Sequence, residues 1–229
     1  MSELQKEQDT HPEQSDTEAS SDGYLDIDNL PNRITIFRLI LVPVVIGLLS
    51  LVKLDPSWLS AATASLLGWA AGWTFTVASI TDFFDGYIAR KRNIITAFGS
   101  FIDPIADKFL VVSSLIMLGA LDRIPVLLVI TLVLREMYMT SLRLLATNEG
   151  FSVPVTQFGK WKTAIQMVGI PMLMANEVWN GIPFPTMGTI CVYLAAALSL
   201  YSAFDYSMNC IKKLKQVRKE KIKKTTPTH

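Results

Sequence analysis

The chain has 229 residues, 50% of them hydrophobic, with a mean hydropathy of +0.35 and a formal net charge of +1. That balance is too apolar for an ordinary soluble domain and points to one integral membrane domain. Cys191 and Cys210 lack metal-ligand spacing and read as buried free thiols, and His11 and His229 sit in polar ends, which excludes histidine-based zinc or acid–base chemistry.

Residues 1–28 hold nine acids, one base (Lys6) and few apolar groups, so a disordered acidic tail is expected, without the basic start and apolar run of a signal peptide. Residues 29–38 read as an amphipathic lead-in at the membrane surface, with Pro31 in a first helical turn. A first spanning helix follows over 34–52, with Pro43 as a candidate kink. After Lys53, Asp55 and Pro56, the run 58–80 is long enough to span, since about 20 residues cross the hydrocarbon. Its helix is expected to continue through Asp82 and Asp85 to Arg90. Arg90, Lys91 and Arg92 fill the next turn, and a third helix over 97–121 begins with Asp103 and Asp107. Asp122 and Arg123 mark another turn, and a fourth helix over 125–145 carries Arg135 and Glu136 in its interior. A polar junction over 147–157 leads to a fifth helix, 159–176. The sixth, 186–209, runs on into a basic end, where residues 212–224 hold eight bases and only Glu220.

The predicted fold is all-α, a six-transmembrane-helix bundle over 29–210, between the acidic tail and a basic cytoplasmic tail over 211–229. Six spans put both termini on one side. Arg33, Arg38, Arg90, Lys91, Arg92, Arg143, Lys160, Lys162 and the C-terminal lysines fall there, against Lys53 and Arg123 opposite. By the positive-inside rule that side is cytoplasmic, so a polar cavity facing the cytoplasm from the plasma (inner) membrane is expected. The basic run reads as an orientation signal and anionic-lipid contact, not as a nucleic-acid surface. Gly68, Ala70, Ala71 and Gly72 predict close helix packing, within the bundle or between copies.

The chemistry is concentrated in residues 81–108, TDFFDGYIARKRNIITAFGSFIDPIADK. Asp82 and Asp85 are three apart and Asp103 and Asp107 four, so on helices each pair shares a face. A helical hairpin would bring the four together. Four close carboxylates stay ionised only with cations, and hard oxygen donors suit Mg2+ or Mn2+, most economically as two ions. Gly86 and Gly99 leave room for a bulky group beside them. Arg90 adds a fixed cation suited to phosphate.

Asp82, Asp85, Gly86, Ala89, Arg90, Gly99, Asp103 and Asp107 form the pattern D-x2-D-G-x2-A-R-x8-G-x3-D-x3-D, by which the chain resembles the CDP-alcohol phosphatidyltransferases. The resemblance implies that Asp82, Asp85, Asp103 and Asp107 hold two ions, Mg2+ or Mn2+, and that Asp107 also takes the proton of the acceptor hydroxyl. It implies a CDP pocket of Gly86, Ala89, Arg90 and Gly99, and a homodimer. Asn32, Thr35 and Arg38 resemble the family's N-x2-T-x2-R element, which makes Asn32 a donor contact. A softer likeness over roughly 29–210, in NLPNRITIFRLILVP, GSFIDPIADK, REMYMTSLR and GKWKTAIQM, is to phosphatidylglycerophosphate synthases. It implies CDP-diacylglycerol as donor, glycerol 3-phosphate as acceptor, and release of CMP.

Arg135 lies on the order of 15 Å into its helix, where an unpaired arginine is costly. Arg143 projects about 80° away from it on the helical wheel, and Lys160 starts the next helix. The three read as a cluster for a dianionic acceptor phosphate. The competing reading pairs Arg135 with a carboxylate near Glu136 and leaves Arg143 and Lys160 to the charge rule. Trp161, Lys162 and Gln166 are weaker candidates, interface anchoring being enough for the first two. The rival functions are a sibling transferase acting on inositol phosphate, serine or phosphatidylglycerol, a cation transporter using the intramembrane acids, and a silent scaffold.

Overall fold

The computed structural model describes the backbone of residues 30–54, 60–92, 97–151, 153, 154 and 157–225, and the side chains of 36–54, 60–81, 106, 108–151, 153, 154 and 157–219. The acidic tail expected over 1–28 lies outside them. Six helices occupy the expected places: α1 Leu30–Leu54, α2 Ala61–Arg92, α3 Ala97–Ala120, α4 Val126–Asn148, α5 Gln157–Ala175 and α6 Phe184–Thr225. The surface lead-in predicted over 29–38 is not a separate element, because α1 starts at Leu30 and continues through Pro43. The basic run is a continuation of α6, whose 42 residues extend about 63 Å at 1.5 Å per residue.

Each helix buries a stripe of residues spaced by three and four. On α1 the buried positions are Arg38, Val42, Val45 and Leu49, facing α2 and α3, against which α1 packs. Phe75 of α2, Leu110, Leu115 and Leu118 of α3, and Ile170 and Leu173 of α5 join them in the main core. A second cluster, around Met139, Ala203, Tyr206 and Cys210, fixes the later half of α4 to α6. Outside these cores the helices show apolar groups: Leu127 is 76% exposed, Leu134 61% and Phe204 69%. Such a surface is unfavourable in water and at home in hydrocarbon. Among the described residues, Ile36–Leu54 and Phe184–Lys219 are long and apolar enough to cross a membrane, with a shorter apolar stretch at Lys108–Ala120. On α4 the apolar run is broken by Arg135, Glu136 and Arg143.

Helix α5 is held closely on both flanks. A Cβ added to Gly68 of α2 would lie 2.5 Å from the Met174 carbonyl oxygen, and one on Gly72 would lie 3.1 Å from that of Pro171. The small-residue run of α2 therefore serves packing within the bundle. On the other flank, a Cβ on Gly169 would lie 2.8 Å from Cβ of Cys191, and one on Gly188 2.8 Å from Cγ of Leu173. Arg123, expected only as a turn marker, donates through Nη1 to the carbonyls of Leu173 (2.8 Å) and Met174 (2.6 Å). A cation at the carboxyl end of α5 satisfies carbonyls that the helix leaves open and opposes its dipole. Asn176 then stops the helix with φ 52°.

Residues 177–185, which carry no predicted element, contain a short hairpin pairing Val178 with Pro183 and Trp179 with Ile182. Its turn is Asn180-Gly181, both at positive φ (50° and 81°), the pair that a two-residue hairpin loop prefers. The Trp69 indole donates to Glu177 Oε2 at 3.1 Å and its ring packs edge-on to Trp179 and tilted against Phe184.

Candidate functional site

The acid motif occupies the end of α2 and the beginning of α3. These helices touch and are joined by four residues, 93–96, so they run antiparallel. Measured along the helices at 1.5 Å per residue, Asp85 and Asp82 lie about 10 and 15 Å back from the end of α2, and Asp103 and Asp107 about 9 and 15 Å in from the start of α3. The two pairs thus lie at similar distances along their helices from the ends that are joined. Gly86, Ala89 and Arg90 follow on α2, and Gly99 lies in the first turn of α3. The side chains of all eight motif residues, and of Asn32, lie outside the described ones. Arg38 is 1% exposed.

A polar cavity of about 50 Å3 lies between α3, α4 and α5, lined by Lys108, Glu136, Lys162 and Gln166 with Val111 and Val112 among its apolar walls. Glu136 Oε1 accepts from Arg135 Nη1 at 2.9 Å and also from Lys162 Nζ. Arg135 is tied from its other edge to α6, where Nε donates to the Ser199 carbonyl at 2.9 Å. Lys108 Nζ donates to Thr140 Oγ1. The amide nitrogen of Gln166, a residue 3% exposed, has no hydrogen-bond partner among the described residues. Buried cations need compensating oxygen, and Glu136 Oε1 contributes it to both Arg135 and Lys162.

The three cations expected to form one cluster are placed differently. Arg135 lies inside and is paired with Glu136, as the competing reading had it. Arg143 is exposed, its guanidinium 5.9 Å from the centre of the Tyr206 ring, and Lys160 is exposed on the first turn of α5. Lys162, assigned to interface anchoring, is 5% exposed. The signal for it was present: Lys162, Gln166, Gly169 and Leu173 are spaced four, three and four apart and are all buried. Extending the apolar stripe of α5 backwards puts Lys162 and Gln166 inside and leaves Lys160 and Trp161 out.

A larger cavity of about 650 Å3 is apolar and runs between α2, α5 and the hairpin, past Thr76, Trp73, Met167, Pro171 and Trp179. It begins at Thr76, about 9 Å along α2 from Asp82, and leads away from the acids.

A family model described as CDP-alcohol phosphatidyltransferase matches residues 28–201. The chain is 39% identical over 186 residues to the CDP-diacylglycerol--glycerol-3-phosphate 3-phosphatidyltransferase of Rickettsia typhi, covering 80% of this chain and 97% of that protein. It is 35% identical over 181 residues to the protein of the same name from Bacillus subtilis, covering 78% and 93%. It is also 33% identical over 195 residues to a Cardiolipin synthase (CMP-forming) of Oryza sativa subsp. japonica, covering 77% and 56%.

Proposed function

The chain belongs to the CDP-alcohol phosphatidyltransferase family, and from that premise we propose that it transfers a phosphatidyl group from CDP-diacylglycerol to glycerol 3-phosphate, giving phosphatidylglycerophosphate and CMP. The observation that carries this is the eight-position acid motif on two adjoining helices, with a buried cationic cavity beside it between α3, α4 and α5. The names of the Rickettsia and Bacillus relatives support the same pair of substrates.

In this reading Asp82, Asp85, Asp103 and Asp107 hold two divalent ions, Mg2+ or Mn2+. Four carboxylates carried by two adjoining helices suit hard cations of this kind. When bound, such ions neutralise the pyrophosphate oxygens and stabilise the departing CMP. Asp107 takes the proton of the acceptor hydroxyl, whose oxygen forms the new bond to phosphorus as the bond to CMP breaks. Gly86, Ala89, Arg90, Gly99 and Asn32 receive the CDP group, and the apolar groove along α2 fits the hydrocarbon chains of the donor. Arg135 and Lys162 meet the acceptor phosphate, with Arg143 and Lys160 drawing the anion in from the exposed side. The bundle spans the inner membrane six times with both termini and the site cytoplasmic, and it works as a homodimer.

The rice relative favours a second reading, in which phosphatidylglycerol is the acceptor. That lipid has no phosphate monoester to add to the contacts of the two buried cations. The test is an acceptor panel with CDP-diacylglycerol and Mg2+ or Mn2+ in detergent, scored by CMP release. Glycerol 3-phosphate is expected to be preferred, and equal release with phosphatidylglycerol, serine or inositol phosphate would reject the assignment.

A further inference from the structure

Glu136 lies where the acceptor reading needs an anion, yet it is part of the protein. Its Oε1 accepts from both Arg135 and Lys162, the role a phosphate oxygen would play. We infer that Glu136 is a resident anion: it stands in for the acceptor phosphate while the site is empty and gives up part of its contact when phosphate arrives. This inference rests on the acceptor site proposed above.

Three observations carry it. First, Arg135 is fixed from behind by the Ser199 carbonyl, so its Nη1 keeps its direction and the partner opposite is what can change. Second, the cavity of about 50 Å3 has room for only a few waters, so a phosphate needs space that the Glu136 side chain occupies. Third, the buried Gln166 amide nitrogen belongs to a residue lining the same cavity and is a donor without an acceptor among the described residues, as expected of a site made for a ligand with more oxygens than one carboxylate supplies. Lys108 and Lys162 line the cavity with Glu136, so removing the carboxylate's charge makes the surroundings of the cavity more positive, which destabilises the unliganded protein and strengthens attraction for a dianion. Glu136 is therefore a positioning residue that makes the acceptor site stable when vacant and weak enough to release its product.

The test uses the full-length protein in detergent, comparing wild type with Glu136→Gln, Glu136→Asp and Lys162→Gln. The measurements are KM for glycerol 3-phosphate, kcat, inhibition by inorganic phosphate, and the thermal midpoint with and without inorganic phosphate. For Glu136→Gln, KM and the phosphate inhibition constant should fall about three- to tenfold as the competing charge disappears. Its midpoint should drop without phosphate and recover with it more than in wild type, while kcat falls because product leaves slowly. If both constants stay at wild-type values or rise while the midpoint drops, Glu136 is only a brace and the inference is overturned. Should Glu136→Gln fail to accumulate, Glu136→Asp decides, because its shorter carboxylate should also tighten phosphate inhibition and an unchanged constant overturns the idea. Lys162→Gln separates this from the underlying reading: a raised KM there with no tightening in Glu136→Gln sinks only the resident anion, whereas an unaltered KM sinks the acceptor site with it.

Discussion

One methyl group at Gly68 probes how closely α2 and α5 meet. The added Cβ would stand 2.5 Å from the Met174 carbonyl oxygen and 3.4 Å from that of Ala175, whereas a relaxed carbon–oxygen contact needs about 3.3–3.6 Å. The obstructing atom is main chain, so no side chain can turn aside. It also accepts the 2.6 Å bond from Arg123, so its retreat loosens a charge-assisted hydrogen bond. Overpacking of this kind costs about 1–3 kcal/mol, and weakening the arginine bond adds a share of about 1.5–3 kcal/mol. Against this, alanine is about 1 kcal/mol better than glycine in a helix. The net expectation for Gly68→Ala is a loss of about 2–3 kcal/mol. Gly47→Ala is the control, since a Cβ there meets nothing within 4 Å, and it should be neutral or gain up to about 1 kcal/mol. At about 2–4 °C per kcal/mol for a chain of this size, the two variants should differ in thermal midpoint by roughly 4–16 °C. Heating the detergent-solubilised proteins and following the monodisperse fraction or residual CMP release measures this. Midpoints within about 2 °C of each other, less than one kcal/mol on that scale, would refute the close α2–α5 contact.

Arg123→Met should also destabilise, and because it shares the Met174 carbonyl with Gly68, the double variant should lose less than the sum of the two. Strict additivity in the same heating assay would show that the sites act separately. Asp107→Asn should lower turnover about 10²–10⁴-fold while CDP-diacylglycerol binding survives, and undiminished CMP release would remove Asp107 from the role of base. Hydrogen bonds from Ser65 and Trp69 hold the Glu177 carboxyl below its ordinary range. A depressed carboxylate stabilises the fold above its unfolded pKa, and that contribution is lost as pH falls through the folded value. Wild type and Glu177→Gln should therefore differ in tryptophan emission and midpoint at neutral pH and converge below about pH 4, the usual carboxylate range. A constant difference down to acid would contradict the assignment of those bonds.

What could be read in the sequence and what could not divides along helix phase. The acid motif depends on spacing along the chain alone, so its residues were legible, as were six helices set by apolar length and by Asp122 and Asn176 at two of their ends. The polar cavity depends on which face of α5 turns inward. Lys160 and Lys162 are only two positions apart, yet about 200° of helical rotation separates them, and counting basic residues near a helix start does not say which of them turns inward. The stripe through Gln166, Gly169 and Leu173 held the answer. Arg135 was identified as needing a partner and Glu136 beside it supplies one, but that α6 would hold its Nε depended on a contact distant in the chain. The hairpin was marked by Asn180-Gly181, within a segment too short for apolar periodicity to register.

Bare backbone hems in α5 along both flanks, at Gly68 and Gly72 on one and at Gly188 on the other, and Arg123 grips its last carbonyls. A helix so wedged has little freedom to slide or swivel without prising two neighbours apart. The ammonium of Lys162 thus rises from a helix with little play, Arg135 opposite is anchored to α6, and any adjustment between them falls to the side chain of Glu136.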